Sequence, residues 1–392
     1  MSSPAPAGER ALSPAFVAIF AATMLNLLAV GALLPVLPLY VRGPLDEGNL
    51  AVGIAIGAYA ITGIVFRPIA GHLADAKGRR WVVVLGSLVS AVAGALLFLP
   101  LGLAAVMASR LFLGAGEGSV FTAGSAWVAD ITPKDRQARL IGIYGLAIWT
   151  GLSIGPAVGQ ALRALGGFEL VWAFVLVVPV LSAAIAGRTR EAYLPRAQSG
   201  KVRAKGGLLS REALGPGVSM ALVSAGFEAM ASFVVLHMRD EGVGGGAWVF
   251  TAFAASLVLS RVVAGGLPDR LGARRVAVVA ALLEAAGLAV IGLAETLPVA
   301  LAGAMVMGWA FSVLYPSLSL IVLRRVDESR RGAAFGTFTA TFDLGVALGA
   351  PLIGLVITFS DYTTGFLFAA ALALAVAAIQ AVLLSKESRA VA

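Results

Sequence analysis

The chain has 392 residues, of which 59% are hydrophobic and 13% charged, with no cysteine and a formal net charge of +8. Its mean hydropathy is +0.93, whereas a soluble domain is about 45 to 50% apolar and about 25% charged, so its solvent is a lipid bilayer. Without cysteine, neither disulfides nor thiolate metal sites nor thiol chemistry are available.

Residues 1–13 are polar and too short for a signal or transit peptide, and the apolar run that follows is too long for a cleaved signal. Apolar runs of about 20 residues, the length that crosses the hydrocarbon core, then recur along the chain. The expected spans are 14–41, 50–72, 81–99, 103–130, 138–163 and 168–187, then 213–238, 245–268, 275–295, 298–324, 332–358 and 361–385. Backbone groups cannot stay unpaired in hydrocarbon, and runs this continuous exclude the alternating strands of a barrel, so the fold is all-helical with twelve transmembrane helices. The divisions at Pro100 and Pro298 are the least marked, because two spans meet there with almost no loop.

Lys and Arg assign the sides. If both termini share a side, 23 of the 29 basic residues fall on it, at Arg10 and within 77–80, 134–139, 188–211, 270–275, 324–331 and 386–389. Arg42, Arg163 and Arg239 lie opposite, and Arg67, Arg110 and Arg261 lie within spans. Cytoplasmic loops carry the basic excess, which places both termini inside a bacterial cytoplasmic (inner) membrane. The positive charge is therefore a topology signal and not a nucleic-acid footprint.

One long polar connection, 188–212, separates an N-terminal bundle (1–187) from a C-terminal bundle (213–392). The two are copies at a constant offset of 194, which relates Gly71 to Gly265, Asp75 to Asp269, Gly78 to Gly272, Arg67 to Arg261, Gly142 to Gly336, Gly151 to Gly345 and Gly155 to Gly349. Two six-helix bundles related as parallel repeats can rock about a site at their interface, near the bilayer midplane.

The stretch GHLADAKGRR at 71–80 resembles the signature loop GxxxDxxGRR of the major facilitator superfamily, with Gly71, Asp75, Gly78, Arg79 and Arg80 at the motif positions. The resemblance covers essentially the whole chain. It implies a charge relay from Asp75 and Arg79 to Asp130 at the end of the fourth span, latching the halves in the outward-facing state. The plain alternative is a set of topology anchors at a tight turn. In the second copy Ala273 replaces the arginine, so Asp269 is expected to pair with Arg270 or Arg274.

The fifth span contains GLSIGPAVG, with Gly151, Gly155, Pro156 and Gly159, and resembles the family's antiporter motif, which implies export in exchange for protons. Small residues at spacing four permit close helix packing and Pro156 bends the helix, so this segment is expected to seal and pivot at the contact between halves. The alternative is ordinary glycine packing. The fourth span reads SRLFLGAGEG and resembles the family motif whose arginine, here Arg110, is implicated in proton coupling. Its repeat partner is Ala304, and Glu117 follows about 10 Å further along nearly the same face.

Isolated ionisable groups in spans mark transport paths. By the resemblance, spans 1, 4, 7 and 10 line the cavity, 2, 5, 8 and 11 form the contacts between halves, and 3, 6, 9 and 12 support them. Glu228, near mid-depth of the seventh span, is the first candidate proton carrier. Asp343 is second, as carrier or substrate anchor, and Glu117 third, unless Arg110 simply neutralises it. Glu284 on a peripheral span reads as structural, and Arg67 and Arg261 as interface charges or gates. His72 and His237 are too far apart to suggest a metal pair. Asn26, Trp309 and Tyr315, with Tyr40, Trp149 and Phe227, are expected to line a partly aromatic cavity or to serve as packing.

No GxxxxGK[ST] phosphate cradle, no HExxH and no cytoplasmic segment large enough for a catalytic domain is present. The chain therefore reads as a carrier rather than an enzyme, driven by an ion gradient, without cofactor or metal, and functioning as a monomer. The leading expectation is export of a small amphipathic compound in exchange for protons, though sodium stays open. A dedicated exporter of one metabolite, with Arg110 contacting an anionic group, and a non-transporting receptor on the same fold are the alternatives.

Overall fold

The computed structural model describes residues 13–133, 136–191, 210–264, 266–327 and 331–391. The expected linker lies largely outside them, as do Lys134 and Gly265. The described residues form α1 (Pro14–Leu33), α2 (Val36–Arg42), α3 (Asn49–Lys77), α4 (Arg79–Leu96), α5 (Leu103–Ile131), α6 (Gln137–Arg188), α7 (Arg211–Asp240), α8 (Gly246–Ala264), α9 (Leu267–Leu271), α10 (Ala273–Gly292), α11 (Leu297–Leu323), α12 (Arg331–Phe359) and α13 (Tyr362–Val391).

Local chemistry sets the helix ends. Ser13 accepts the Phe16 N–H at 3.2 Å and Pro14 occupies the first turn, the side-chain cap and preset φ that start a helix. Pro35 divides the first span into α1 and α2. At the start of α13, Asp361 accepts the Thr364 N–H at 2.6 Å, and this bond holds its exposed carboxyl below the usual carboxylate range.

The continuous run α6 has 52 residues, which at about 1.5 Å each would reach about 78 Å, more than twice the bilayer core of about 30 Å. It turns back at Gly166 and Gly167, where Gly167 takes φ 70°, a left-handed conformation that glycine adopts at little cost. Ten helical runs are long and apolar enough to cross a membrane. Dividing α6 at the glycine pair and adding the 29-residue α5, made more polar by Arg110 and Glu117, completes the twelve expected spans.

The spans form two six-helix bundles, α1–α6 and α7–α13, and the repeat reappears in the packing. A Cβ at Gly151 of α6 would sit 2.8 Å from Leu27 Cβ, and one at Gly155 would sit 2.6 Å from Gly31 Cα. In the second bundle, Gly345 of α12 meets Ala221 at 2.5 Å and Gly349 meets Ala225 at 2.9 Å. Each second contact is the first displaced by 194. The antiporter-like glycines therefore press on α1 of their own bundle, which corrects the expectation that they seal the contact between halves. Small residues on both helices are what let the backbones touch.

The close seam between halves belongs to α3 and α12. A Cβ on Gly53 would lie 2.8 Å from the Ala350 carbonyl carbon and 2.9 Å from Pro351 Cα, and one on Gly57 would lie 3.1 Å from Pro351 Cδ. Nearby, a Cβ on Gly354 would lie 2.6 Å from the Asn49 carbonyl oxygen, and Tyr362 donates its hydroxyl to Asn49 Oδ1 at 2.9 Å. These contacts gather at the end of the molecule where α3 begins and α12 ends, so the halves are closed there.

Candidate functional site between the two bundles

Charged side chains cost several kcal/mol in hydrocarbon unless paired or hydrated. Apart from Glu284 on α10, the isolated charges within the spans gather along the interface. Taking about 1.5 Å per residue from the closed end, Arg110 lies about 10 Å deep, Glu228 about 18 Å, Glu117 about 21 Å, Asp343 about 24 Å and Arg67 about 27 Å. The result is a ladder of charge through the middle of the membrane, cationic at both ends and acidic between.

At the upper rung, Arg110 is only 1% exposed. Its Nε and Nη2 donate to the Ala55 and Ile56 carbonyls of α3, both at 3.2 Å, and its guanidinium carbon lies 4.9 Å from the centre of the Tyr59 ring. Those contacts fix the guanidinium while leaving Nη1 without a hydrogen-bond partner. From the other bundle, Glu228 on α7 faces it closely enough for the two charges to attract. Glu228 is 2% exposed, with Ser232 beside it and Oε2 unpartnered. The arrangement presents one cationic and one anionic hydrogen-bonding atom inside a buried interface.

Lower down, Arg67 Nη1 donates to Asp343 Oδ2 at 2.5 Å, an ion pair joining α3 of one half to α12 of the other. Glu117 is buried against the Tyr59 hydroxyl and within the field of Arg67. Glu117 thus answers Arg67 and Tyr59, correcting the alternative in which Arg110 neutralises it. Arg261 and Tyr315 border the same cluster.

Aromatic rings surround the ladder. Phe227 stacks on Phe311 at 5.5 Å, and Trp149 from the opposite half meets Phe311 edge-on at 6.3 Å. Tyr315 packs against Phe338 and Phe342 at 5.4 and 5.9 Å. Trp309 is half-buried on α11, its carbonyl accepting from Ser260 at 3.2 Å.

One side chain expected at the cavity goes elsewhere, and two other buried polar groups lie away from it. Asn26 is fully buried and donates to Ser87 at 2.9 Å and Ser182 at 2.8 Å, tying α1 to α4 and the second span of α6. It is removed from the cavity because a buried amide in an apolar span needs polar partners, and these lie on the peripheral helices. Glu284 of α10 is fully buried behind α7, where a Cβ at Gly226 would lie 2.8 Å from Glu284 Oε1. His237 is buried as well, Nε2 at 3.1 Å from the Ile291 carbonyl, with its ring against Tyr362 and Phe366.

At the end of the molecule opposite the closed seam, the signature loop makes its relay inside the first bundle. Arg79, 7% exposed, pairs with Asp75 at 2.6 Å and with Asp130 at 3.1 Å. Glu191, which no motif marks, accepts the Arg79 and Arg80 N–H groups at 2.5 and 3.1 Å and so caps α4. Gly78 takes φ 100°, and a Cβ there would lie 3.0 Å from the Glu191 carboxylate, so both backbone and space require glycine. Gly71 lies against Thr122 of α5. In the second copy Asp269 pairs with Arg324 at 3.6 Å, while Arg274 turns inward to Gln380 at 2.8 Å, which corrects the pairing expected with Arg270 or Arg274. Sequence reasoning also missed Gly53 and Gly57, although their spacing of four in the second span is the usual mark of close helix approach.

The family model described as Major Facilitator Superfamily matches residues 19–246 and 217–391. An uncharacterized MFS-type transporter of Salmonella typhimurium is 32% identical over 378 residues, covering 94% of this chain and 96% of the relative. Among solved structures, the nucleoside transporter NupG superposes with a TM-score of 0.80 at 16% identity, over 94% of this chain and 99% of that one. The human organic anion transporter MFSD10 gives 0.70 at 19% identity, over 94% and 100%. At those identities the structural likeness concerns the fold alone.

Proposed function

Because the chain belongs to the Major Facilitator Superfamily, we propose that it exports a small amphipathic organic compound from the bacterial cytoplasm in exchange for protons, by alternating access. The coarser statement needs no proposal: it is a multi-pass membrane transporter, not an enzyme.

The observation that carries the reading is Glu228, buried at the interface with one carboxylate oxygen unpartnered and Arg110 opposite. A carboxyl so placed holds either a proton or a cationic substrate group, so the two compete, which is the minimal chemistry of antiport. Asp343 and Glu117 are the next proton sites down the ladder, and release of the Arg67–Asp343 pair accompanies the change of access. Phe227, Phe311, Trp149, Trp309 and Tyr315 supply apolar contact for the rest of the substrate. The antiporter-like segment Gly151, Gly155, Pro156 and Gly159 supports export as the direction.

In this reading 1–187 and 213–392 are the rocking units, 188–212 is their cytoplasmic tether, and one chain suffices. The closed seam at Gly53 and Asn49 then faces outward and the opposite end faces the cytoplasm. The relay of Asp75, Arg79 and Asp130 stands at that cytoplasmic end, where it latches the opposite state.

The test is proton movement in proteoliposomes with an acidic interior, read by a lumenal pH dye while cationic, zwitterionic and anionic compounds are added. Alkalinisation by cations or zwitterions supports the reading; a response to anions alone favours a dedicated metabolite exporter, with the unpartnered Arg110 Nη1 as anchor. Substrate flux without any pH change contradicts proton exchange.

A further inference from the structure

Basic residues are scarce on the side opposite the termini, which holds only Arg42, Arg163 and Arg239 of the 29. Two of those three converge on one cavity. Of about 360 Å3, it lies between the halves at the closed end and is lined by Gln160 and Arg163 from the first bundle and Arg239, Gly244, Gly245 and Gly246 from the second.

Its chemistry is one-signed. Among the described residues no Asp or Glu belongs to the lining, although Asp240 and Glu241 follow Arg239 in the chain, where both act on His237 and Asp240 acts on Tyr362. Arg163 is held in place, its Nε donating to Gln160 Oε1 at 3.0 Å and its guanidinium 5.9 Å from the Phe168 ring centre, which leaves its terminal N–H groups for another acceptor. On the far wall α8 begins at Gly246, and the first turn bond comes only from Trp248 N–H to the Gly245 carbonyl at 2.8 Å, so the first N–H groups of that helix add to the positive field. Positive residues are disfavoured on this face by topology, yet they are spent here at one point.

We infer that this cavity is a seat for an oxyanion, a carboxylate or phosphate, bridged between Arg163 of one half and Arg239 of the other. Planar guanidinium groups suit such ligands bidentately. Because the two arginines belong to different bundles, a bound anion ties the halves together in the closed state and is released when they part. The inference rests on the proposed orientation for its meaning. With this end outward, the seat takes either the acidic group of a departing zwitterionic substrate or the phosphate of an anionic lipid entering from the outer leaflet.

Thermal unfolding of the purified full-length protein in phosphatidylcholine nanodiscs tests it, with benzoate or inorganic phosphate titrated against chloride at equal ionic strength, and a parallel set containing phosphatidylglycerol. The expected result is a saturable rise in the unfolding midpoint with benzoate or phosphate, weakened about tenfold or more in apparent affinity by Arg163→Gln/Arg239→Gln. Protection by phosphatidylglycerol alone, lost in the same variant, also supports the seat and identifies the lipid as its source. The variant's own midpoint in chloride reports whether it is folded, and Arg163→Lys/Arg239→Lys, which keeps the charge, should retain part of the effect. No protection beyond chloride in either nanodisc, or equal protection in wild type and the Gln variant, overturns the inference. Neither arginine belongs to the charge ladder and the assay needs no gradient, so its failure leaves proton exchange at Glu228 standing, and failure of that exchange leaves the seat standing.

Discussion

Arg67 of α3 and Asp343 of α12 form an ion pair at 2.5 Å that fastens one six-helix bundle to the other in the middle of the membrane. Each comes from a span whose other end packs against its partner at Gly53 and Ala350. The pair lies about 24 to 27 Å from the closed end on a rise of about 1.5 Å per residue, and parting of the halves must break it.

Breaking one partner of such a pair leaves a charge uncompensated in a low-dielectric setting. The destabilisations of Asp343→Asn and Arg67→Gln, added together, are expected to exceed that of the double variant, with a coupling of about 1 to 3 kcal/mol. Thermal unfolding of the four proteins measures it. Strict additivity would show that the two charges do not support each other.

The glycine seam makes a steric prediction. Gly53→Leu places atoms where the Ala350 carbonyl carbon and Pro351 Cα already stand, 2.8 and 2.9 Å from its Cβ, and backbone on both sides cannot yield as a side-chain tip does. The closed end should be propped open. Spin labels on Glu47→Cys and Asp361→Cys, usable without background because the chain has no cysteine, should move apart by several Å relative to the same labels on Gly53. An unchanged distance distribution would mean that the helices slide past the added side chain.

Asn26 separates stability from transport. Its amide donates to Ser87 and Ser182 away from the interface, so Asn26→Ala should cost about 1 to 3 kcal/mol for two buried hydrogen bonds while leaving KM and substrate preference unchanged. A shift in selectivity would return it to the cavity.

The spans were legible because hydropathy depends only on which residues stand in a row, and the repeat because Arg and Asp recur at a single offset. Which face of each helix meets the cavity was not legible. A span that is apolar all round has no polar stripe to orient it, so Asn26, Glu117 and Glu228 look alike until their neighbours are known. The same limit placed the antiporter-like glycines at the wrong contact: spacing of four identifies a close approach, not the helix approached. Gly53 and Gly57 carried the signal equally well. Glu191 carried none, since its role depends on the chain folding back on Gly78 from more than a hundred residues away.

Glu228 decides the central question. The decisive measurement compares Glu228→Gln with wild type in proteoliposomes, reading substrate accumulation against its gradient under an imposed proton gradient and, separately, downhill exchange without one. A carboxyl that trades a proton for substrate predicts that the variant loses at least about nine-tenths of the driven accumulation, as expected for a missing proton-transfer group, while downhill exchange persists. Undiminished accumulation by a folded Glu228→Gln protein would contradict proton coupling at this residue.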